Sequence, residues 1–155
     1  MSAPDPRQAA LDAVLALVVE LGEDMQHGLA ALGLTPARSH VLWQLRATGP
    51  AHQRVLAEAL RTSPRNVTGL VDGLQQAGLV SRNAHPTDRR AVVVALTDAG
   101  EQLVDGLEAG QQELAGVLFA DRPDSEIAVV ADVLAAAVDR LRVAVATAPT
   151  VRGSA

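Results

Sequence analysis

The helical hydrophobic period of this chain is interrupted once, and the place where it breaks limits the folds open to it. Between Ser63 and Gly78, apolar side chains recur at three- and four-residue steps, at Val67, Leu70, Val71 and Leu74. That spacing predicts an amphipathic helix. Past Gly78 the helical period is gone. Leu79-Val80-Ser81-Arg82-Asn83 and Ala91-Val92-Val93-Val94-Ala95-Leu96 read as two strands, with His85-Pro86-Thr87-Asp88-Arg89-Arg90 between them. Two such runs joined by a proline-bearing tip predict a hairpin.

Helical patterns lie on both sides. From Arg7 to about Leu32, the positions Leu11, Val14, Leu15, Val18, Leu21, Met25, Leu29 and Leu32 trace one face, and Gly33 is placed to end it. Thr35 is a candidate N-cap with Pro36 at the first helical position, opening a helix through Val41, Leu42 and Leu45 that closes near Gly49. A short helix over about His52–Leu60 is expected to turn Val55, Leu56, Ala59 and Leu60 inward. Arg61-Thr62 forms the turn, Ser63 caps the following helix and Pro64 occupies its first position. After the hairpin, Thr97 is a candidate cap for a helix containing Leu103, Leu107, Leu114, Val117 and Leu118. A last helix carries Ile127, Val130, Leu134, Ala137, Val138, Leu141 and Val145. The expected class is mainly α with a small β-hairpin wing: a winged helix-turn-helix with a helical dimerisation region. One domain over 7–146 is expected, with a DNA-binding lobe at 34–97, dimerisation helices at 7–33 and 98–146, and disordered ends at 1–6 and 147–155.

Composition excludes several functions. The chain has 155 residues, 48% of them hydrophobic, which suits one domain with a core. Cysteine is absent, so disulfides, thiolate metal sites and a cysteine nucleophile are excluded. No apolar run is long enough to span a bilayer and no secretory signal is visible, which suits the cytoplasm. Trp43 and Phe119 are the only aromatic residues, too few for a single-strand stacking platform. The net charge of −5 is unevenly spread: residues 51–100 hold six arginines against four carboxylates, a local +2 that leaves −7 for the rest. A local basic surface is what phosphate contact requires.

A short helix, a tight turn, a capped second helix and a hairpin describe a unit whose second helix enters the DNA major groove. With Val67, Leu70, Val71 and Leu74 turned to the core, the opposite stripe carries Arg65, Thr68, Gly69 and Asp72, flanked by Asn66. Arginine reads guanine and asparagine reads adenine through paired hydrogen bonds. Ser63 is both a cap and part of an amide end suited to phosphate. Asp72 would repel phosphate, so it is expected to pair with a nearby arginine.

The sequence resembles the MarR family of transcriptional regulators. LTPARSHVLWQL is similar to that family's second helix, VLAEALRTSPRNVTGLVDGLQQAGLVSR to its helix-turn-helix core, and HPTDRRAVVVALTDAG to its wing and the entry to its fifth helix. The motifs cover about residues 34–103. The resemblance implies a homodimer on a palindromic operator of double-stranded DNA, and repression relieved by a small molecule whose identity the sequence does not give. It also implies DNA contact from Arg89 and Arg90, with Arg90 in the minor groove and Asp88 as the brace that orients it. Gly69 and Gly73 depart from the pattern, standing where members often carry basic residues.

Other constellations are weak. Met25, His27, His40, Trp43 and Arg46 are candidates for a ligand pocket between the first two helices. His27, His40, His52 and His85 form no i,i+4 pair, so neither a metal nor a cofactor is expected. No nucleophile–base constellation or phosphate-cradling glycine loop is visible, so the chain is not expected to be an enzyme. The competing reading is a winged-helix protein-interaction module that has lost DNA binding, favoured by the acidic total and the two glycines.

Overall fold

Asp5-Pro6, Thr35-Pro36 and Ser63-Pro64 each start a helix in the same way. The first residue caps and the proline, which has no N–H to leave unpaired, takes the first helical position. Asp5 Oδ1 accepts from Arg7 N at 3.0 Å, Thr35 Oγ1 from Arg38 N at 3.3 Å, and Ser63 Oγ from Asn66 N at 3.1 Å. The computed structural model describes residues 5–84 and 92–147. The elements are α1 (Pro6–Ala31), α2 (Pro36–Thr48), α3 (Gln53–Ala59), α4 (Pro64–Gln76), β1 (Val80–Ala84), β2 (Val92–Leu96), α5 (Asp98–Leu118) and α6 (Asp124–Thr147). This is the mainly helical winged architecture the sequence predicts. The first helix starts slightly earlier than expected because Asp5 holds its first turn.

The chain divides into two compact units, residues 1–107 and 108–155, with α5 running through the division. The core belongs to the first unit. Val41 and Leu42 of α2, Leu56 of α3, Val67, Val71 and Leu74 of α4, Val94 of β2 and Val104 of α5 are fully buried. Truncating one of these leucines to alanine in a closed core costs about 2–5 kcal/mol. Val55 is a correction. The sequence places it inward but it is 48% exposed, Ala59 is likewise exposed, and Ala57 is buried instead. A helix of seven residues offers about two turns, too few for periodicity to fix its inner face.

The turn between α3 and α4 is a helix C-terminal motif with arginine in the glycine position. Arg61 has φ +51°, Arg61 N donates to Glu58 O at 3.2 Å and Thr62 N to Ala57 O at 3.0 Å. At the far end of α4, Gly78 takes φ +74° and turns the chain into β1. The strands pair antiparallel, Val80 opposite Leu96 and Ala84 opposite Val92. Ala51 adds a bridge to the outer side of β2: Ala51 N donates to Val94 O at 3.0 Å and Val94 N to Ala51 O at 2.9 Å.

Thr97 fastens α5 to this joint. Its hydroxyl donates to Gly78 O at 2.6 Å and accepts from Gly100 N at 3.1 Å, the capping role the sequence suggests. Gly100 is buried, and a Cβ there would stand 2.1 Å from Leu79 O. Only glycine allows α5 to approach the β1 backbone so closely.

The second unit contains α6, which buries no residue. Val129, Val133, Leu141, Val143 and Val145 are each more than 60% exposed. In the first unit α1 buries only Leu29 and exposes Leu11, Leu15, Val18 and Val19. No helix among the described residues is long and apolar enough to cross a membrane.

Candidate nucleic-acid interface

The first turn of α4 presents a polar, open surface. Its inner residues Val67, Val71 and Leu74 are fully buried, and Leu70 is partly so. Burial of that face fixes the rotation of the helix and turns Arg65, Thr68, Gly69 and Asp72 to solvent. Ser63, Arg65, Asn66, Gly69 and Leu70 border a shallow cleft of about 400 Å³. Arg65 has no hydrogen-bond or ion-pair partner among the described residues, so its guanidinium is free to meet a ligand. Gly69 has nothing within 4 Å of the position a Cβ would take.

Asn66 and Thr68 are less free. Asn66 Nδ2 donates to Thr62 Oγ1 at 2.8 Å, and the Thr68 hydroxyl donates to Pro64 O at 2.9 Å. For Asn66 to read a base edge, its bond to Thr62 must be exchanged. Arg65 needs no such exchange.

One flank of α4 is tied to the hairpin by a network that sequence reading only half anticipated. Arg82 Nη2 of β1 lies 2.5 Å from Asp72 Oδ1, which supplies the arginine partner expected for that carboxylate. Arg82 Nη1 also donates to Gln75 Oε1. With its amide turned so that both ends find partners, Gln53 of α3 accepts from Arg82 Nη2 and Nε at 3.0 and 3.1 Å and donates to Thr68 Oγ1 at 3.1 Å. Two elements, α3 and α4, thus converge on one guanidinium from β1. Charge-assisted, multidentate bonds of this kind are directional and hold a helix in register.

The other flank carries a residue that the sequence reading missed. The guanidinium of Arg38, from α2, lies over Gly73 of α4: a Cβ on Gly73 would stand 2.2 Å from Arg38 Nη2 and 2.7 Å from Cζ. The bare backbone at Gly73 is what admits it.

Asp88, Arg89 and Arg90, the candidate wing brace and wing contacts, lie outside the described residues, as does His85. The base of the hairpin is described. His52 Nδ1 lies 3.1 Å from Val92 O, so that nitrogen donates, and the contact joins the start of α3 to β2.

The five residues proposed for a ligand pocket are placed differently from one another. Met25, His27 and His40 are exposed, and Trp43 is partly buried against the core. Arg46 pairs with Asp105 of α5 at 2.5 Å. Arg46 also borders a cleft of about 190 Å³ with Leu45, Gly49, Pro50, Leu96 and Glu101, and the other four are not on its lining. No group of three or more His, Asp or Glu among the described residues is placed to hold a metal ion.

Residues 34–92 match the model of the MarR family, a stretch that takes in α2, the helix-turn-helix and β1 and ends at the first residue of β2. The chain is 30% identical over 99 residues to the HTH-type transcriptional repressor MdtR of Bacillus subtilis (strain 168), covering 64% of each protein. The matches to the first three curated relatives span between 47% and 64% of those proteins. The YusO protein from Bacillus subtilis has a similar structure, with a TM-score of 0.72 at 25% identity, covering 90% of this chain and 99% of that one. The S. aureus MepR–DNA complex shares the fold, with a TM-score of 0.66 at 21% identity over 83% of this chain and 94% of that one. With its motifs, its helix-turn-helix and its hairpin in agreement, the chain carries a MarR-family segment at residues 34–92 within a winged helix-turn-helix fold.

Proposed function

We propose that this chain is a sequence-specific, double-stranded DNA-binding transcriptional regulator that acts as a homodimeric repressor. The observation that carries this reading is the outward face of α4. It offers Arg65, exposed and without a partner among the described residues, beside the bare Gly69 on the first turn of a helix capped by Ser63. A helix of this length fits the major groove, and its N-terminal side chains are those that reach base edges. Arg65 reads a base, Asn66 and Thr68 contribute once their internal bonds are exchanged, and the Ser63 end of the helix receives a phosphate. Arg89 and Arg90 supply the wing contacts and Asp88 braces Arg90, a role taken from the family resemblance. MdtR, a relative, is a repressor, and MepR, a protein of this fold, forms a complex with DNA.

Dimerisation is supported by the apolar faces of α1 and α6, which the single chain leaves in solvent. An effector that relieves repression is part of the same reading, with Met25, His27, His40, Trp43 and Arg46 as its candidate contacts. Effector and DNA affinity are then linked reciprocally.

The test is a mobility shift with labelled duplex at two salt concentrations. Affinity should fall steeply as salt rises, because neutralised phosphates release counterions. Absence of duplex binding at low salt would overturn the reading in favour of a protein-interaction module.

A further inference from the structure

Both flanks of α4 carry an arginine contributed by another element, and the two are in different states. At about 3.6 residues per turn, Thr68, Asp72 and Gln75 line one flank, while Asn66, Gly69 and Gly73 line the other. On the first flank the guanidinium of Arg82 is held by Asp72, Gln75 and Gln53. Four of its five N–H donors are engaged, which leaves one on Nη1. On the second flank Arg38 reaches α4 from α2 and lies over Gly73. Arg38 is half-buried, and its guanidinium has no hydrogen-bond or ion-pair partner among the described residues.

An arginine that packs only to cover apolar surface lays its stem on the core and leaves its head in water. Arg38 instead has its head against a neighbouring helix, at a position with no side chain of its own. The surroundings favour an anion there. The nearest charged position on α4, Asp72, is committed to Arg82 on the far flank. Along the same flank lies the open cleft bordered by Ser63, Arg65, Asn66 and Gly69. Arg65 and Gly73 are eight residues apart, which on a helix is about 12 Å along the axis, at ~1.5 Å per residue. Strand phosphates advance by ~3.4 Å per nucleotide along the duplex axis, so a cation that far from Arg65 can meet the backbone while Arg65 stays on a base edge.

We propose that Arg38 is a backbone-phosphate contact of the DNA-binding surface, delivered from α2 through the gap at Gly73, so that α2 supplies the cation this flank of α4 lacks. The inference rests on the duplex-binding reading above and adds a second helix to it. Gly73 acts here as the seat of a guanidinium, and its missing side chain is what lets Arg38 reach the DNA-facing side.

The experiment measures affinity of the full chain for a labelled random-sequence duplex at about 50 and 200 mM salt, with thermal unfolding of each variant alongside. One phosphate contact corresponds to about one unit of slope in log K against log salt, or about a threefold share of the affinity lost over that range. Arg38→Ala should remove that share, so its affinity falls about threefold less than the parent's across the range. Gly73→Ala should act in the same direction without lowering the unfolding temperature. Alanine favours the helix, while its Cβ pushes aside only the flexible end of Arg38. The double variant Arg38→Ala/Gly73→Arg returns a cation to the same place from α4 and should restore the parent slope. An Arg38→Ala or Gly73→Ala variant with an unchanged slope would overturn the proposal while the parent still binds. A parent that binds no duplex would overturn the duplex-binding reading and this proposal together.

Discussion

Asp72 on α4 and Arg82 on β1 meet at 2.5 Å, so the helix expected to read DNA is tied to the strand that starts the wing. Their side chains are 49% and 26% exposed, so by itself the pair contributes under about 1 kcal/mol to stability. Its value lies in direction. It fixes where α4 stands relative to the hairpin, and through Gln53 it also fixes Thr68.

Asp72→Ala therefore has a sign that separates two roles. Removing a carboxylate from a DNA-facing helix should strengthen binding if repulsion is all that Asp72 supplies. As a brace, its loss should weaken binding to the preferred duplex by about 1 kcal/mol, roughly fivefold. Titration of parent and variant on the same duplex decides, and tighter binding by the variant would refute the bracing role.

Arg65→Ala should cost about 1–3 kcal/mol on the preferred site and relax preference at one base pair per half-site, since a bidentate arginine discriminates among bases. Binding-site selection from a random duplex library gives the readout. Half-sites should lie about 10 bp apart centre to centre if the dimer presents both helices to one face of the duplex. Equal losses on preferred and random DNA would reassign Arg65 to a phosphate.

The glycines at 69 and 100 should respond oppositely to alanine. At Gly69 the added Cβ meets nothing within 4 Å, so Gly69→Ala should stabilise the fold by about 0.5–1 kcal/mol. At Gly100 it meets the Leu79 carbonyl, which belongs to the backbone and cannot swing away. Gly100→Ala should destabilise by about 1–3 kcal/mol or more. Urea unfolding of both variants checks the pair.

Sedimentation at micromolar concentration should show a dimer. Obligate homodimer interfaces bury on the order of 2,000 Å² or more, and the apolar side chains of α1 and α6 are the surface available for it. Leu141→Asp, which places a charge on α6 where the single chain buries nothing, should shift the equilibrium to monomer without unfolding the first unit.

What the sequence discloses follows the range of the interactions involved. Thr35-Pro36, Ser63-Pro64 and Thr97 were readable as helix starts because a cap is satisfied within three residues of itself. The face of α4 was readable because four apolar positions recur over several turns. Val55 and Ala57 were not separable, since α3 is too short for its period to average out. Arg38 over Gly73 and Gln53 beside Arg82 were invisible for a different reason. Each contact joins distant parts of the chain, and neither residue type signals its partner in advance. Gly73 reads in sequence only as a missing cation. The structure shows that the place is taken by Arg38 from the next helix.

The bridge at Ala51 has a consequence for solubility. A two-stranded hairpin normally presents a row of unspent amides and carbonyls along each outer edge, and other chains pair with such rows. On β2 part of that row is already used: Val92 O is taken by His52, and both backbone groups of Val94 are taken by Ala51. A passing strand finds the middle of this side occupied. Ala51, two residues before α3, therefore works as a guard on this edge, covering the middle of a strand whose Val93 and Val94 are buried.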